Sequence, residues 1–219
     1  MKILSTIETP FKDKFGVPRQ SLLVEEAWGV MRFPKNNFYA EAFRGIEQFS
    51  HLWLIFEFHL VNNESFNGLV RPPRFDNKQK LGVYATRSPH RPNRLGLSVV
   101  KFIGLETLTD SLVLNVSGVD LVNGTPILDI KPYIPYVDSL PHAHAPMFSD
   151  PPELHSVTFS CHHKLSSAEE ILITKVIALD PRPAHDKEDD QEFGVTLAGY
   201  NVLFKKILKG FEITQITKV

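Results

Sequence analysis

The sequence is poor in several things, and each scarcity removes an option. Cys161 is the lone cysteine among 219 residues, so no intrachain disulfide forms and a reducing compartment is expected. Long apolar runs are missing. The longest, residues 52–60, is broken by Glu57 and His59, far short of the roughly 20 residues that span a bilayer. The opening residues turn acidic at Glu8, too soon for a signal peptide. A soluble cytoplasmic protein with no membrane partner is therefore expected. Charge of one sign is not in excess: the net charge of −1 gives no global case for nucleic acid. Nor is there a Gly-x-Gly-x-x-Gly, a Gly-Lys-Ser/Thr phosphate loop, a Gly-x-Ser-x-Gly or a His-Glu-x-x-His. The common nucleotide-cofactor and hydrolase folds thus get no support.

What is present is an ordinary globular composition, 42% hydrophobic and 22% charged. Helical periodicity is sparse and strand patterns dominate the first 140 residues. Segments 21–30, 51–59, 81–86, 97–105, 111–121 and 126–133 are rich in Val, Ile, Leu, Phe and Tyr and are separated by Gly, Pro, Asn or Asp. Thr109-Asp110-Ser111 and Asn123-Gly124 are predicted hairpin turns. Strands in close succession without crossover helices predict an antiparallel sheet or barrel. A short helix is expected within 38–48, ending near Gly45. The clearest helix is 165–179, with Ser166 or Ser167 as N-cap, Glu169 and Glu170 in its first turn, and Pro181 and Pro183 beyond its end. Two strand-like runs follow, 194–204 and 210–216. Residues 139–152 read as a Pro/His/Ala-rich linker. The expected fold is mainly β: an N-terminal domain built as an antiparallel β-sheet or β-barrel, residues 1–145, with a small α+β C-terminal domain, residues 153–219.

Charge is distributed unevenly. Between Arg71 and Lys101 stand eight Lys or Arg, including Arg74, Lys78 and Lys80, against Asp76 alone. From Asp180 to Glu192 six acids face Arg182 and Lys187. The basic stretch is densest at Arg87-Ser-Pro-His-Arg-Pro-Asn-Arg94, where Pro89 and Pro92 stiffen a turn bearing Arg87, His90, Arg91 and Arg94. A core does not need such a loop; a site for phosphate, carboxylate or a nucleic-acid backbone does. Asn93 adds a donor and an acceptor. In 124–133, alternation places Ile127, Asp129 and Lys131 on one face and Leu128 and Ile130 on the other. Asp129 and Lys131 within an apolar strand are either an ion pair or a ligand contact. Pro18-Arg19-Gln20 and His59 are weaker signals. The His142, His144, His155, His162 and His163 set lacks convergent ligand spacing, and no metal is expected.

Together these stretches resemble one family. Pro18-Arg19-Gln20, residues 44–53, Val70-Arg-Pro-Pro-Arg74, the turn from Arg87 to Gly96, residues 120–133 and Asp180-Pro-Arg-Pro-Ala184 follow the order and spacing of the YaeB/TsaA-like (TrmO-type) tRNA (adenine-37) methyltransferases. The resemblance runs from about Ile3 to Phe204, and the family often has an aromatic where this chain has His185. It implies a barrel methyltransferase that uses S-adenosyl-L-methionine and works as a homodimer, with the cofactor near the subunit interface. The implied substrate is the anticodon loop of tRNA carrying threonylcarbamoyladenosine at position 37, methylated on its exocyclic nitrogen. By motif, the cofactor contacts are Pro18, Arg19, Gln20, His59, Leu60, Arg87, Leu97, Ile127, Leu128, Asp129 and Ile130. Asp129 and Tyr133 are the candidate catalytic groups, with Asp138 behind them. His90, Arg91, Asn93, Arg94 and Lys131 are expected to contact the RNA. The competing readings are a non-catalytic RNA-binding barrel and a hydrolase or lyase acting on the same cofactor.

Overall fold

The alternation of buried and part-exposed residues along His51–Glu57 sets one wall of the architecture: Leu52, Leu54 and Phe56 point inward and are at most 3% exposed. In the computed structural model, which describes residues 1–61, 68–72, 80–145, 148, 150–183 and 191–219, this strand belongs to a closed barrel. Its strands are β1 (Ser5–Glu8), β2 (Trp28–Pro34), β3 (His51–Glu57), β6 (Leu95–Thr107), β7 (Ser111–Ser117) and β8 (Thr125–Pro132). They close in the order β1-β2-β7-β6-β3-β8, with every pairing antiparallel. Closure removes both sheet edges. The interior is filled by Ile7, Met31, Phe33, Leu52, Leu54, Val100, Leu114 and Ile127. The short β4 (Leu69–Val70) and β5 (Leu81–Gly82) pair outside it.

A second sheet follows, ordered β10-β11-β12-β9. It comprises β9 (Ser156–Phe159), β10 (Glu192–Leu197), β11 (Tyr200–Ile207) and β12 (Gly210–Lys218). Of the helices, α1 is Asn37–Ala42, α2 is Pro135–Asp138 and α3 is Ser167–Ala178. The last opens on a capping box, Ser166 with Glu169, and buries Leu172, Ile173, Val176 and Ile177. The sheet reaches the barrel's first loop: Ala198 N–H donates to the Pro10 carbonyl at 2.9 Å, and Val195 and Leu197 pack on Gly16. Lys175 on α3 pairs with Glu26 at 2.5 Å.

Several expected elements are placed differently. Segment 21–30 is not one strand: Leu22 sits at φ 64°, and its N–H donates to the Gly118 carbonyl, so pairing begins only at Trp28. Segment 81–86 passes from β5 into a tight 3-10 turn, Val83–Ala85. The run 194–204 is two strands, folded back at Ala198 and Gly199, which take φ of 52° and 84°. The turn at Asp110 joins the paired β6 and β7 as expected. Asn123-Gly124 does turn the chain, with Gly124 at φ 82°, but it joins no hairpin, because β7 and β8 are not neighbours in the barrel. Strands β1 and β9, four residues each, were outside the expected set.

Candidate active site

One end of the barrel wall carries the arginine turn. Its shape is made by its own side chains. Arg91 Nη1 donates to the carbonyls of Val83 at 3.1 Å and Thr86 at 2.9 Å, and its guanidinium lies 5.7 Å from the Tyr84 ring centroid. Arg94, at φ 50°, pairs with Glu57 at 2.7 Å and donates to the Val61 carbonyl. Phe58 N–H donates to the Arg94 carbonyl at 2.8 Å. The turn holding His59 and the exposed Leu60 is thus tied to the arginine turn. On the other side Arg87 donates to the Gln20 side chain, and Gln20 donates in turn to the Arg19 carbonyl. Pro18 is buried and Arg19 exposed. The fold therefore brings Pro18–Gln20, the His59–Leu60 turn and Arg87 together around one loop. His90 and Asn93 lie exposed on it.

The β8 stretch departs from simple alternation. Phe56 pairs with Ile127 and Ile55 with Asp129, which leaves Leu128 as an extra residue in a β-bulge. Ile127 and Ile130 consequently both pack toward the core, whereas Asp129 and Lys131 share the outer face. The expected grouping of Ile127 with Asp129 is corrected on that ground. Asp129 pairs with Lys131 at 3.6 Å, both side chains about half exposed or more, and accepts from its neighbour Ile130 N–H at 2.9 Å. Along the outer wall Asp129 stands opposite Ile55, and Ile55 opposite Leu97, which is 55% exposed. Asp129 and Leu97 are thus two strand spacings apart, roughly 10 Å.

Tyr133 lies at the end of β8, its ring 5.9 Å from that of Trp53 and 6.3 Å from that of His51. Asp138 accepts from the Trp53 indole at 3.0 Å and from Ile134 N–H at 2.8 Å, and these bonds hold its carboxyl below the usual carboxylate range. Asp138 therefore orients the neighbours of Tyr133.

Sequence reasoning missed Asp120. Its side chain is half-buried beside the Ser98 hydroxyl and the Ser21 N–H, with Arg87 as a nearby positive charge. Its Oδ1 has no hydrogen-bond partner among the described residues. Burial pushes its pKa up to about 6. A lone Asp after a strand has no periodic signature, and only tertiary contacts reveal it.

Beside Pro18 and Arg19 a cleft of about 330 Å³ is lined by Lys14, Arg71 and the Asp180–Pro183 turn. There Asp180 grips Arg182, which is 4% exposed, through two hydrogen bonds at 2.8 and 3.1 Å. Arg74, Lys78, Ala184, His185 and Lys187 fall outside the described residues. Among the described residues no group of three His, Cys, Asp or Glu is placed to hold a metal, and no helix is long and apolar enough to cross a membrane. His155 meets Phe211 edge to face, and His163 lies tilted against Phe159.

The family model for the tRNA-methyltransferase O N-terminal domain matches residues 6–139, and that for the TrmO C-terminal domain matches 152–219. The chain is 38% identical over 221 residues to the tRNA (adenine(37)-N6)-methyltransferase of Escherichia coli (strain K12), covering 96% of this chain and 94% of that protein. It is 40% identical over 201 residues to a putative S-adenosylmethionine-dependent methyltransferase, RcsF, of Pseudomonas aeruginosa, covering 87% of this chain and 85% of that protein. A crystal structure of TrmO from Pseudomonas aeruginosa superposes with a TM-score of 0.78 at 32% identity, over 99% of this chain and 96% of that one. With both domain models matched across nearly its whole length, the chain belongs to the TrmO family.

Proposed function

We propose that this protein is an S-adenosylmethionine-dependent tRNA methyltransferase that adds a methyl group to the exocyclic N6 of adenosine 37 where that base carries a threonylcarbamoyl group. The observation that carries the reading is the arginine turn, clamped by Gln20–Arg87 on one side and Glu57–Arg94 on the other, so that separate segments converge on one surface. The residues suit the cofactor's chemistry. Arg87 is a partner for a carboxylate. Glu57 and Asp129 offer negative charge to a sulfonium and an ammonium, and the exposed Leu60 and Leu97 offer apolar contact to an adenine. Bound there, the cofactor supplies an electrophilic methyl group. The chain's own task is alignment of the acceptor nitrogen with that methyl. Pro18, Arg19, Gln20, His59, Leu60, Arg87, Leu97 and Ile127–Ile130 form the proposed cofactor-binding set. Asp129 takes the proton that the urea-like nitrogen sheds, with Tyr133 orienting the base. His90, Arg91, Asn93, Arg94 and Lys131 face the anticodon loop, the first, third and last through exposed side chains.

The reading extends to a cytoplasmic homodimer whose interface lies near the cofactor site, with residues 1–145 as the methyl-transfer domain and 153–219 as a smaller α+β domain. The barrel's outer wall supports the dimer: Leu97 and Ile103 are 55% and 56% exposed, beside Ile55 and Val99. Radiolabelled methyl transfer to tRNA with and without the threonylcarbamoyl group tests the activity. Label is expected only on the modified tRNA. Cofactor cleavage without tRNA would establish a hydrolase or lyase instead, and tRNA binding without cofactor binding would establish an RNA-binding barrel.

A further inference from the structure

Asp120 lies between β7 and β8, flanked by Val119 and Leu121, which are 0% and 2% exposed. A carboxylate so placed is a poor core residue, and its unpartnered Oδ1 makes it poorer. What distinguishes it is the identity of its neighbours. Ser21, whose N–H stands beside it, directly follows Gln20, and the next residue, Leu22, donates its N–H to the Gly118 carbonyl two residues before Asp120. Ser98, whose hydroxyl stands beside it and which is 5% exposed, directly follows Leu97, and the antiparallel β6–β7 register that sets Lys101 opposite Ser117 runs on toward this pair. Arg87, the charged group acting on it, is itself bonded to Gln20. Three segments far apart in the sequence, each bearing a proposed donor contact, thus meet at one half-buried carboxylate.

We infer that Asp120 is the positioning residue of the methyl-donor pocket: its carboxylate joins the segments bearing Gln20, Arg87 and Leu97 and sets their mutual placement before the donor binds. The inference rests on the methyl-donor reading above. In the ionised form the carboxylate attracts Arg87 and faces the N–H of Ser21 and the hydroxyl of Ser98. Protonation removes the attraction and turns one oxygen from an acceptor into a donor. Arg87 is the charged group facing it; the segment before β2 and strand β6 contribute Ser21 and Ser98, neither of which titrates in this range. Because burial places the titration near pH 6, the loss falls within a workable range.

Calorimetry of S-adenosylmethionine and S-adenosylhomocysteine binding to the full chain, from pH 5 to 8, provides the test. Wild-type affinity is expected to fall about tenfold between pH 7.5 and pH 5, with the midpoint near 6. Asp120→Asn, folded by circular dichroism, is expected to bind about tenfold more weakly at pH 7.5 and to show no such dependence, with KM for the donor raised and kcat changed less than threefold. Ser98→Ala removes a bond that favours the ionised form and is expected to move the midpoint upward. This variant carries the test if Asp120→Asn does not fold. A merely structural role would lower the folded fraction and leave the midpoint in place. Wild-type affinity and pH dependence in folded Asp120→Asn, or an unmoved midpoint in Ser98→Ala, overturns the inference. If the wild-type chain binds neither compound at any pH, the methyl-donor reading itself fails and the inference falls with it.

Discussion

The Arg94 guanidinium stands 2.7 Å from the Glu57 carboxylate, and the same residue's backbone carbonyl receives the N–H of Phe58. One residue therefore fastens the arginine turn to the end of β3 by both side chain and main chain. Its left-handed backbone, φ 50°, is a conformation that non-glycine residues seldom hold without such anchoring.

Arg94→Ala is accordingly expected to act on the site more than on the fold. The pair is partly exposed, 38% and 30%, so its loss costs at most about 1 kcal/mol. Release of the His59–Leu60 turn should weaken S-adenosylmethionine binding about tenfold. Thermal melts and calorimetry on the same sample separate the two effects. Arg94→Lys should recover little, because an ammonium cannot reach Glu57 and the Val61 carbonyl with the same planar fork.

Lys131 and Asp129 form a surface pair whose geometry predicts opposite outcomes for two variants. Lys131→Gln should leave cofactor affinity unchanged and reduce the slope of log K for tRNA against log salt by about one. Asp129→Asn should leave stability within about 0.5 kcal/mol of wild type but lower single-turnover methyl transfer at least tenfold. An unchanged transfer rate would remove Asp129 as the base.

The parts of the fold that were readable from the sequence are those where periodicity reports burial directly. Leu52, Leu54 and Phe56 alternate with part-exposed neighbours, and the observed strand follows the pattern closely. The capping box of α3 is equally local, since Ser166 and Glu169 stand three residues apart. The failures are non-local. Nothing in residues 124–133 announces that Leu128 is bulged, because the extra residue is defined by register against β3. Leu22 turns the chain through a bond to Gly118, nearly a hundred residues on. The arginine turn was legible as charge density, but not the use of Arg91 and Arg94 to build the loop itself. Asp120 opens the family stretch 120–133 but was not singled out within it for the same reason, its neighbours being Ser21, Arg87 and Ser98.

Gly96 shows how tightly the wall is packed beside the site. A Cβ built there would lie 2.2 Å from Phe56 Cε2, and Phe56 is 3% exposed. Gly96→Ala should therefore destabilise the barrel by about 1–3 kcal/mol through overpacking, read as a lower urea midpoint with an unchanged slope. Phe56→Leu in the same chain should recover part of the loss, since it withdraws the ring edge that the new methyl meets.

The last prediction concerns stability against pH, and its sign follows from Asp120. The group titrates near 3.8 when unfolded and near 6 when folded, so between those values the native state holds more protons than the unfolded one. Stability must then fall as pH rises through this window, by a total of about 3 kcal/mol for a shift of that size. Asp120→Asn lacks the titration. Plotted against pH, the stability difference between variant and wild type should grow in the variant's favour from pH 4 to pH 6.5 and level off above it. Other carboxyls titrate in both proteins and cancel in the comparison. Urea unfolding at half-unit intervals checks this, and parallel curves across the window would show that the Asp120 carboxylate is not desolvated as its burial requires. A variant that gains stability at neutral pH while losing affinity for the methyl donor would mark Asp120 as a residue kept for function at the expense of the fold.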